Sequence, residues 1–361
     1  MGPEYRQRLR RLRTGISDAG CDALLVTGIH NVRYLTGFTG SSGFAVITPD
    51  EAFFITDSRY ATQSKDEVAG LFKVRVYARK WLDEATAIIG RVKPDVVGFE
   101  GANLSYEAFV KVKKAFGGVR LKSVPDPVGR VRMVKDQFEL SRIRACAAIL
   151  DDGYKTAKRL LRPGAVEKEV AASVEAAFRK RGAEGVAFDT IIASGPRGAL
   201  PHGKASDKRI KNGELIVVDM GVALLGYNSD ETRTFCTGKA TAFQKEIYTV
   251  VKEAQSRAID SIRPGVAAAE VDRAARDFIK KAGYGKYFGH STGHGVGLDV
   301  HEGPSVGPMS KDMLEEGMVV TIEPGIYVPG RSGVRIEDMA LVTKNGFEIL
   351  TKTDKELVCL Q

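Results

Sequence analysis

At 361 residues, 43% of them hydrophobic and 27% charged, the chain reads as a water-soluble globular protein with room for two cores. No apolar run reaches the ~18 to 20 residues that span a bilayer, which excludes a membrane-spanning class. The net charge of +9 could point to nucleic acid, yet no helix-turn-helix, RNA-binding or zinc-finger signature accompanies it, and no such partner is expected.

Part of the surplus sits at the start, where Arg6, Arg8, Arg10, Arg11 and Arg13 face a single acid, Glu4. Leu9, Leu12 and Ile16 recur at helical spacing, which predicts a first helix with one apolar stripe and a solvated arginine face. The opening Met1-Gly2-Pro3 leads into that helix and carries neither a signal-type apolar region nor the Ser/Thr of a myristoylation motif, so a cytoplasmic protein is expected. Cys21, Cys146, Cys236 and Cys359 form no Cys-x-x-Cys pair and read as reduced structural thiols.

Asp22 to Val26 predicts a strand. The glycine-rich stretch from Gly37 to Gly43 lacks the Walker lysine and the GxGxxG spacing of a phosphate cradle, and reads as a tight connection between strands. Phe44 to Thr48 and Glu51 to Thr56 flank Pro49-Asp50 as a hairpin. Strands and helices then alternate near 72–77, 82–92, 96–99, 106–116 and 119–124, which completes a mixed α/β unit without a ligand cluster. The lone His30 reads as a loop or core residue. Pro125-Asp126-Pro127 breaks both periodicities and divides the chain into domains of residues 1–126 and 127–361.

Asp136 and Glu139 are spaced as a capping box and start a helix running to about Leu161. From its end the sequence repeats at an offset of 101 residues: Leu161-Arg162-Pro163-Gly164 returns as Ile262-Arg263-Pro264-Gly265, and Glu169-Val170 as Glu270-Val271. Arg179-Lys180-Arg181-Gly182 likewise returns as Lys280-Lys281-Ala282-Gly283. Two copies are too few for a solenoid and predict a pseudo-symmetric pair of α/β halves with a site in the cleft between them.

The chemistry-bearing residues follow. Asp219 interrupts the apolar strand Leu215 to Gly221, and Asp230 opens the returning strand Tyr227 to Phe235, so the two are expected side by side across a hairpin. His290-Ser291-Thr292-Gly293-His294 mimics a helical zinc motif, but its glutamate is missing and Gly289, Gly293, Gly295 and Gly297 argue against a helix. Leu298 to Glu302 then reads as a strand carrying His301. Glu323 shares a face with Val319 and Thr321, while Arg335 shares one with Glu337 and can orient a ligating carboxylate. Of five histidines, four lie at positions 202, 290, 294 and 301. Ionised acids in apolar strands need counter-charge. Four carboxylates and one imidazole suit hard or borderline divalent ions, and would balance two dications clamping a shared water roughly 3.5 to 4 Å apart.

In these motifs the chain resembles the pita-bread metallopeptidases, which group methionine aminopeptidases, Xaa-Pro aminopeptidases, Xaa-Pro dipeptidases (prolidases) and the metal-free creatinases. The resemblance rests on VVDMG with Asp219, YNSDETRTF with Asp230, HSTGHGVGLDVHEGP with His294, TIEPG with Glu323 and VRIED with Glu337, over residues 130 to 361. NVRYLTGFTGSSG and FITDSRY look like the creatinase/prolidase-type N-terminal domain, which methionine aminopeptidases lack. The resemblance implies an α/β (α+β) protein with a pita-bread catalytic domain. It further implies two divalent ions per subunit, manganese first, with cobalt, zinc or iron as alternatives. Asp219 would hold one ion, His294 with Glu323 the other, and Asp230 with Glu337 both. Glu323 would shuttle the proton, His301 stabilise the tetrahedral intermediate, and His202 and His290 position the substrate.

The expected substrates are peptides with proline second, and the expected assembly is a homodimer or higher homo-oligomer. Some prolidases place an arginine just after His-Glu-x-Pro to grip the dipeptide carboxylate. Here His301-Glu302-Gly303-Pro304 is followed by Ser305. The expected activity is therefore Xaa-Pro aminopeptidase, with Xaa-Pro dipeptidase as the alternative, ahead of a metal-free creatinase-like hydrolase or an inactive peptide-binding relative.

Overall fold

The expectations resting on Met1 and Gly2 fall outside the residues described by the structure, a computed structural model covering 3–68 and 70–361. Helix α1 (Pro3–Asp18) buries Leu9, Leu12 and Ile16, as their spacing predicts. Its arginine face is not wholly solvated. Arg8 is buried, donates to the Tyr34 carbonyl at 2.8 Å and stacks over the Tyr5 and Tyr34 rings.

After β1 (Ala23–Val26) comes an unexpected helix, α2 (Ile29–Thr36), ended by Gly37 at φ 79°, a conformation that suits a residue without Cβ. The glycine-rich stretch thus joins a helix to a strand, and His30 is exposed on that helix. The unit continues with β2 (Phe44–Ile47), β3 (Ala52–Asp57), α3 (Gln63–Glu67), β4 (Lys73–Tyr77), α4 (Trp81–Val92), β5 (Val96–Glu100), α5 (Tyr106–Ala115) and β6 (Arg120–Val124). Its mixed sheet has the order β4-β3-β2-β1-β5-β6. Leu25, Phe53, Ile55 and Val97 pack there with Ile88 and Ile89 of α4. The short helix α6 (Pro127–Arg132) also belongs to this unit: Arg132 donates to Asn31 at 2.7 Å and Tyr34 to the Val131 carbonyl at 3.3 Å. The division therefore falls between Arg132 and Met133 instead of at 126/127.

The second unit opens on α7 (Gln137–Leu160), whose capping box is formed: Asp136 accepts from the Glu139 N–H and Glu139 from the Asp136 N–H. Then follow α8 (Glu167–Lys180), β7 (Gly185–Val186), β8 (Ile191–Ser194), β9 (Leu215–Met220), β10 (Val222–Leu224), β11 (Tyr227–Asn228) and β12 (Glu231–Thr237). The other half comprises α9 (Ala242–Asp260), α10 (Ala268–Lys281), β13 (Gly293–Gly295), β14 (Glu302–Val306), β15 (Val319–Ile322), β16 (Gly325–Val328), β17 (Ser332–Arg335), β18 (Asp338–Thr343), β19 (Gly346–Ile349) and β20 (Cys359–Leu360). The two main sheets run β20-β12-β9-β8 and β14-β13-β15-β18-β19. Among the described residues no helix is long and apolar enough to cross a membrane.

The sequence repeat has a geometric counterpart. Gly164 and Gly265 sit at φ 90° and 82°, and their N–H groups donate to the Ile210 and Leu314 carbonyls, both at 2.8 Å. Two residues on, Val166 and Ala267 form isolated antiparallel bridges with Arg209 and Met313. Gly182 and Gly283 follow α8 and α10 at φ 92° and 89°. Equivalent residues thus make equivalent turns, as expected of two copies of one supersecondary unit.

Candidate active site

The acids reach one cavity from strand ends. Asp219 lies in β9, where every residue is buried, and pairs in register with Thr232, not with Asp230. The hairpin reading missed an excursion in which β10 pairs with β11 on one side and β7 on the other, so the return strand begins only at Glu231. Asp230 sits just ahead of it. Glu323 follows β15, its N–H donating to the Thr292 carbonyl at 2.7 Å, and Glu337 lies between β17 and β18, its N–H donating to the Thr232 carbonyl at 3.1 Å. His294 is in β13, a strand as its glycines required. A Cβ on Gly293 would fall 1.8 Å from the Thr321 carbonyl oxygen, and one on Gly295 2.1 Å from that of Gly303. Only glycine lets these backbones approach so closely. The segment before β14 is not the expected strand, and exposed His301 stands in an irregular stretch with its ring centroid 4.1 Å from that of His294.

One carboxylate oxygen each from Asp230 and Glu337 and one ring nitrogen of His294 lie within 4.8 Å of one another. His294 Nδ1 is 3.1 Å from the Gly295 carbonyl, which assigns the proton to Nδ1 and turns Nε2 toward Asp230 at 3.7 Å and Glu323 at 3.3 Å. Arg335 is the buried cation here. It donates to Asp219 at 2.6 Å, Thr232 at 3.0 Å, Tyr327 at 2.9 Å and the Pro201 carbonyl at 3.0 Å, so it orients Asp219 and makes no such bond to Glu337. Glu337 instead accepts from Thr232 at 2.6 Å.

One arginine is too little. Burial, reinforced by mutual repulsion, pushes Asp230 and Glu337 well above the usual carboxylate range, and burial raises Asp219 despite Arg335. Burial also works against ionised Glu323, but the hydrogen bond and charge of His294 outweigh it and hold Glu323 low. His294 shows the converse: burial disfavours its charged form, and Glu323 more than compensates, so its pKa is raised. Asp219 Oδ1 and Glu337 Oε1 are buried without any hydrogen-bond partner. Such orphaned oxygens are rare in a folded interior and fit a group that accepts their lone pairs, and this oxygen-rich set with one imidazole fits a hard or borderline divalent ion.

The cavity, about 490 Å³, is lined by Asp219, Asp230, His294, Glu323 and Glu337 together with His202, His290, His301 and Arg335, so every candidate named from the sequence meets there. The structure adds residues the sequence reading missed. Tyr327 accepts from Arg335 and lies 2.9 Å from His290 Nε2, while His290 Nδ1 lies 2.7 Å from the Ser291 carbonyl. These contacts order the protons from Arg335 through Tyr327 to a neutral His290, whose pKa burial lowers. Buried Asp272 holds the segment that carries His290: it accepts from Thr292 and from Arg276, and Arg276 also donates to the His290 carbonyl at 2.7 Å. Phe188, Asp189, Pro201, Lys204 and Ser305 also line the wall.

Residues 141–344 match Metallopeptidase family M24, and residues 8–134 match the creatinase/prolidase N-terminal domain. The chain is 41% identical to an Xaa-Pro dipeptidase of Pyrococcus horikoshii over 98% of its own length and 99% of that protein. Among solved structures it is similar to an Xaa-Pro dipeptidase from Bacillus anthracis, with a TM-score of 0.96 at 40% identity, covering 99% of this chain and 100% of the other. It is also similar to an X-Pro aminopeptidase from Thermotoga maritima, with a TM-score of 0.88 at 40% identity and coverage of 97% and 99%.

Proposed function

Since the chain belongs to metallopeptidase family M24 and pairs a creatinase/prolidase N-terminal domain with a pita-bread catalytic domain, we propose that this metallo-exopeptidase is an Xaa-Pro dipeptidase. The observation that carries the hydrolytic reading is the acid surplus at the cavity: Asp219, Asp230, Glu323 and Glu337 face one buried arginine, and two of their oxygens lack partners. The choice of dipeptidase rests on similarity at about 40% identity, over nearly the whole length, to proteins of that name. It reverses the order reached from the sequence, which ranked the aminopeptidase first.

Asp219, Asp230, His294, Glu323 and Glu337 would hold two divalent ions, manganese first among manganese, cobalt, zinc and iron, and ions so bound would polarise a water for attack on the peptide carbonyl. Glu323 takes the water's proton and passes it to the leaving nitrogen. That nitrogen belongs to proline, whose peptide bond has no N–H and whose ring fixes φ, which explains the need for a dedicated enzyme. His301, its ring centroid 4.1 Å from that of His294 on the cavity wall, donates a single N–H to the developing oxyanion. His202 and His290 seat the substrate, and Arg335 locks Asp219 in place. A cytoplasmic setting and a homodimer or larger homo-oligomer complete the reading, the latter tested by light scattering.

The aminopeptidase remains the second reading, favoured by Ser305 on the cavity wall and by the similarity to the Thermotoga protein. The deciding experiment is hydrolysis of Xaa-Pro dipeptides against Xaa-Pro tripeptides and longer peptides by chelated enzyme with manganese, cobalt or zinc restored. Strong dipeptide preference is expected; equal or better cleavage of longer peptides returns the assignment to the aminopeptidase.

A further inference from the structure

A dipeptidase must recognise the carboxylate that ends its substrate one residue past the broken bond, and the wall of this cavity holds few groups able to do so. Among the described residues lining it, only Arg335 and Lys204 carry a permanent positive charge. Arg335 is spoken for: its guanidinium serves Asp219, Thr232, Tyr327 and the Pro201 carbonyl, and the side chain is 4% exposed. Both ring nitrogens of His290 are likewise engaged. Lys204 is different. Its side chain is 75% exposed and its ammonium meets one partner, Asp189, at 2.5 Å, whose own side chain is 69% exposed.

An ion pair so open to water contributes little on its own, and the ammonium keeps donors for a second anion. The loop beneath it is firmly held. Buried Glu167 accepts from the Ser194 N–H and hydroxyl, from Arg197 at 3.0 Å, and from the Ser206 N–H and hydroxyl, while Arg197 also donates to the Lys204 carbonyl. This latch fixes the rim segment that carries both His202 and Lys204. Beside the lysine, Pro201 and Phe188 contribute apolar wall suited to a pyrrolidine ring, and Ser305 supplies no charge.

We propose that Lys204 is the receptor for the terminal carboxylate of the substrate's proline, with Asp189 as the internal anion that the substrate joins or displaces. The proposal rests on the dipeptidase reading and supplies the clamp that Ser305 leaves missing. Its test compares alanyl-proline with alanyl-prolinamide, which differ only in that carboxylate, on metal-restored wild type, Lys204→Met, Lys204→Arg and Asp189→Asn. For Lys204→Met the KM for alanyl-proline should rise about tenfold, the scale of one partly exposed charged contact, with kcat little changed and the prolinamide unaffected. Lys204→Arg should restore most of the loss, and Asp189→Asn should lower the dipeptide KM by freeing the ammonium. A Lys204→Met enzyme that keeps the wild-type preference for the dipeptide overturns the receptor alone. A wild type that ignores alanyl-proline while cutting alanyl-prolinamide or longer peptides overturns the dipeptidase reading, and the receptor with it.

Discussion

Two groups of buried acids meet around β12, and they differ in who supplies the positive charge. On one side Glu231 and Asp338 share Arg233, at 2.8 and 2.7 Å, and Asp338 also meets Lys355 at 2.9 Å, Gln255 at 2.7 Å and Thr351 at 2.8 Å. Burial would raise Asp338, yet Arg233 and Lys355 outweigh it and hold it low; Glu231, as deeply buried but with Arg233 as its one cation, is still pushed up to about 8. On the other side Thr232 and Thr234 point toward Glu337 and the Arg335 backbone, where four acids share a single arginine. Alternation along one strand has sorted the acids into a closed network and an open one. The closed network is a fastener. The open one is a receptor, because its remaining counter-charge has to come from outside the chain.

The strongest test of this contrast is Arg233→Met, which strands Glu231 in the interior and leaves Asp338 to Lys355 as its one remaining cation. It should cost ~3 to 5 kcal/mol in denaturant unfolding, the scale for breaking a buried pair by removing one partner. A loss below about 1 kcal/mol would mean that the network is not held by charge. Glu337→Gln should act with the opposite sign on stability: it removes one repelling acid, so the EDTA-treated protein melts higher than EDTA-treated wild type. Its kcat/KM on an Xaa-Pro dipeptide in manganese should meanwhile fall roughly 10³-fold, as when one preorganised group at the reacting centre is lost. Lower apo stability would show that Glu337 is a fastener too. Arg335→Met, which unties Asp219, should reduce kcat/KM or metal affinity by ~10 to 100-fold, read by activity and by metal content after dialysis.

The smallest effect is a pH signature. Asp230 and Glu337 have folded pKa values above their unfolded ones of about 3.9 and 4.3, so the metal-free fold binds protons that the unfolded chain releases. The penalty of folding them as anions is absent below about pH 4 and grows as pH rises toward the folded values. Divalent ions relieve it. The Tm gap between manganese-loaded and EDTA-treated protein should therefore widen from about pH 4.5 to 8, with groups common to both forms cancelling. A constant gap would contradict the open-network account.

What the sequence disclosed followed from conflict and repetition. Asp219 inside Leu215 to Met220 violates the burial rule for its strand, and that violation marks the site as clearly as any motif. Pro163-Gly164 and Pro264-Gly265 announce equivalent turns because the positive φ after proline has few residue solutions. The failures involve partners distant in sequence. Helix α2 draws on Asn31, Val32, Tyr34 and Thr36, indifferent helix formers, and is fixed by tertiary contacts such as Asn31 with Glu100 at 2.5 Å. The Asp219 register depended on β7, which no local pattern ties to β10. Tyr327, Asp272 and Lys204 look ordinary in sequence; only the contacts of Tyr327 with His290 and Arg335, the hold of Asp272 on Thr292 and the place of Lys204 on the cavity wall distinguish them.

The doubled architecture carries one more consequence. Asp219 and Asp230 come from the first repeat, His294, Glu323 and Glu337 from the second, and the loop of residues 238–241 joins them. A backbone break placed in that loop would yield two polypeptides, each with part of the donor set and neither with a whole one. Hydrolysis by the mixture but by neither fragment would make catalysis an emergent property of complementation.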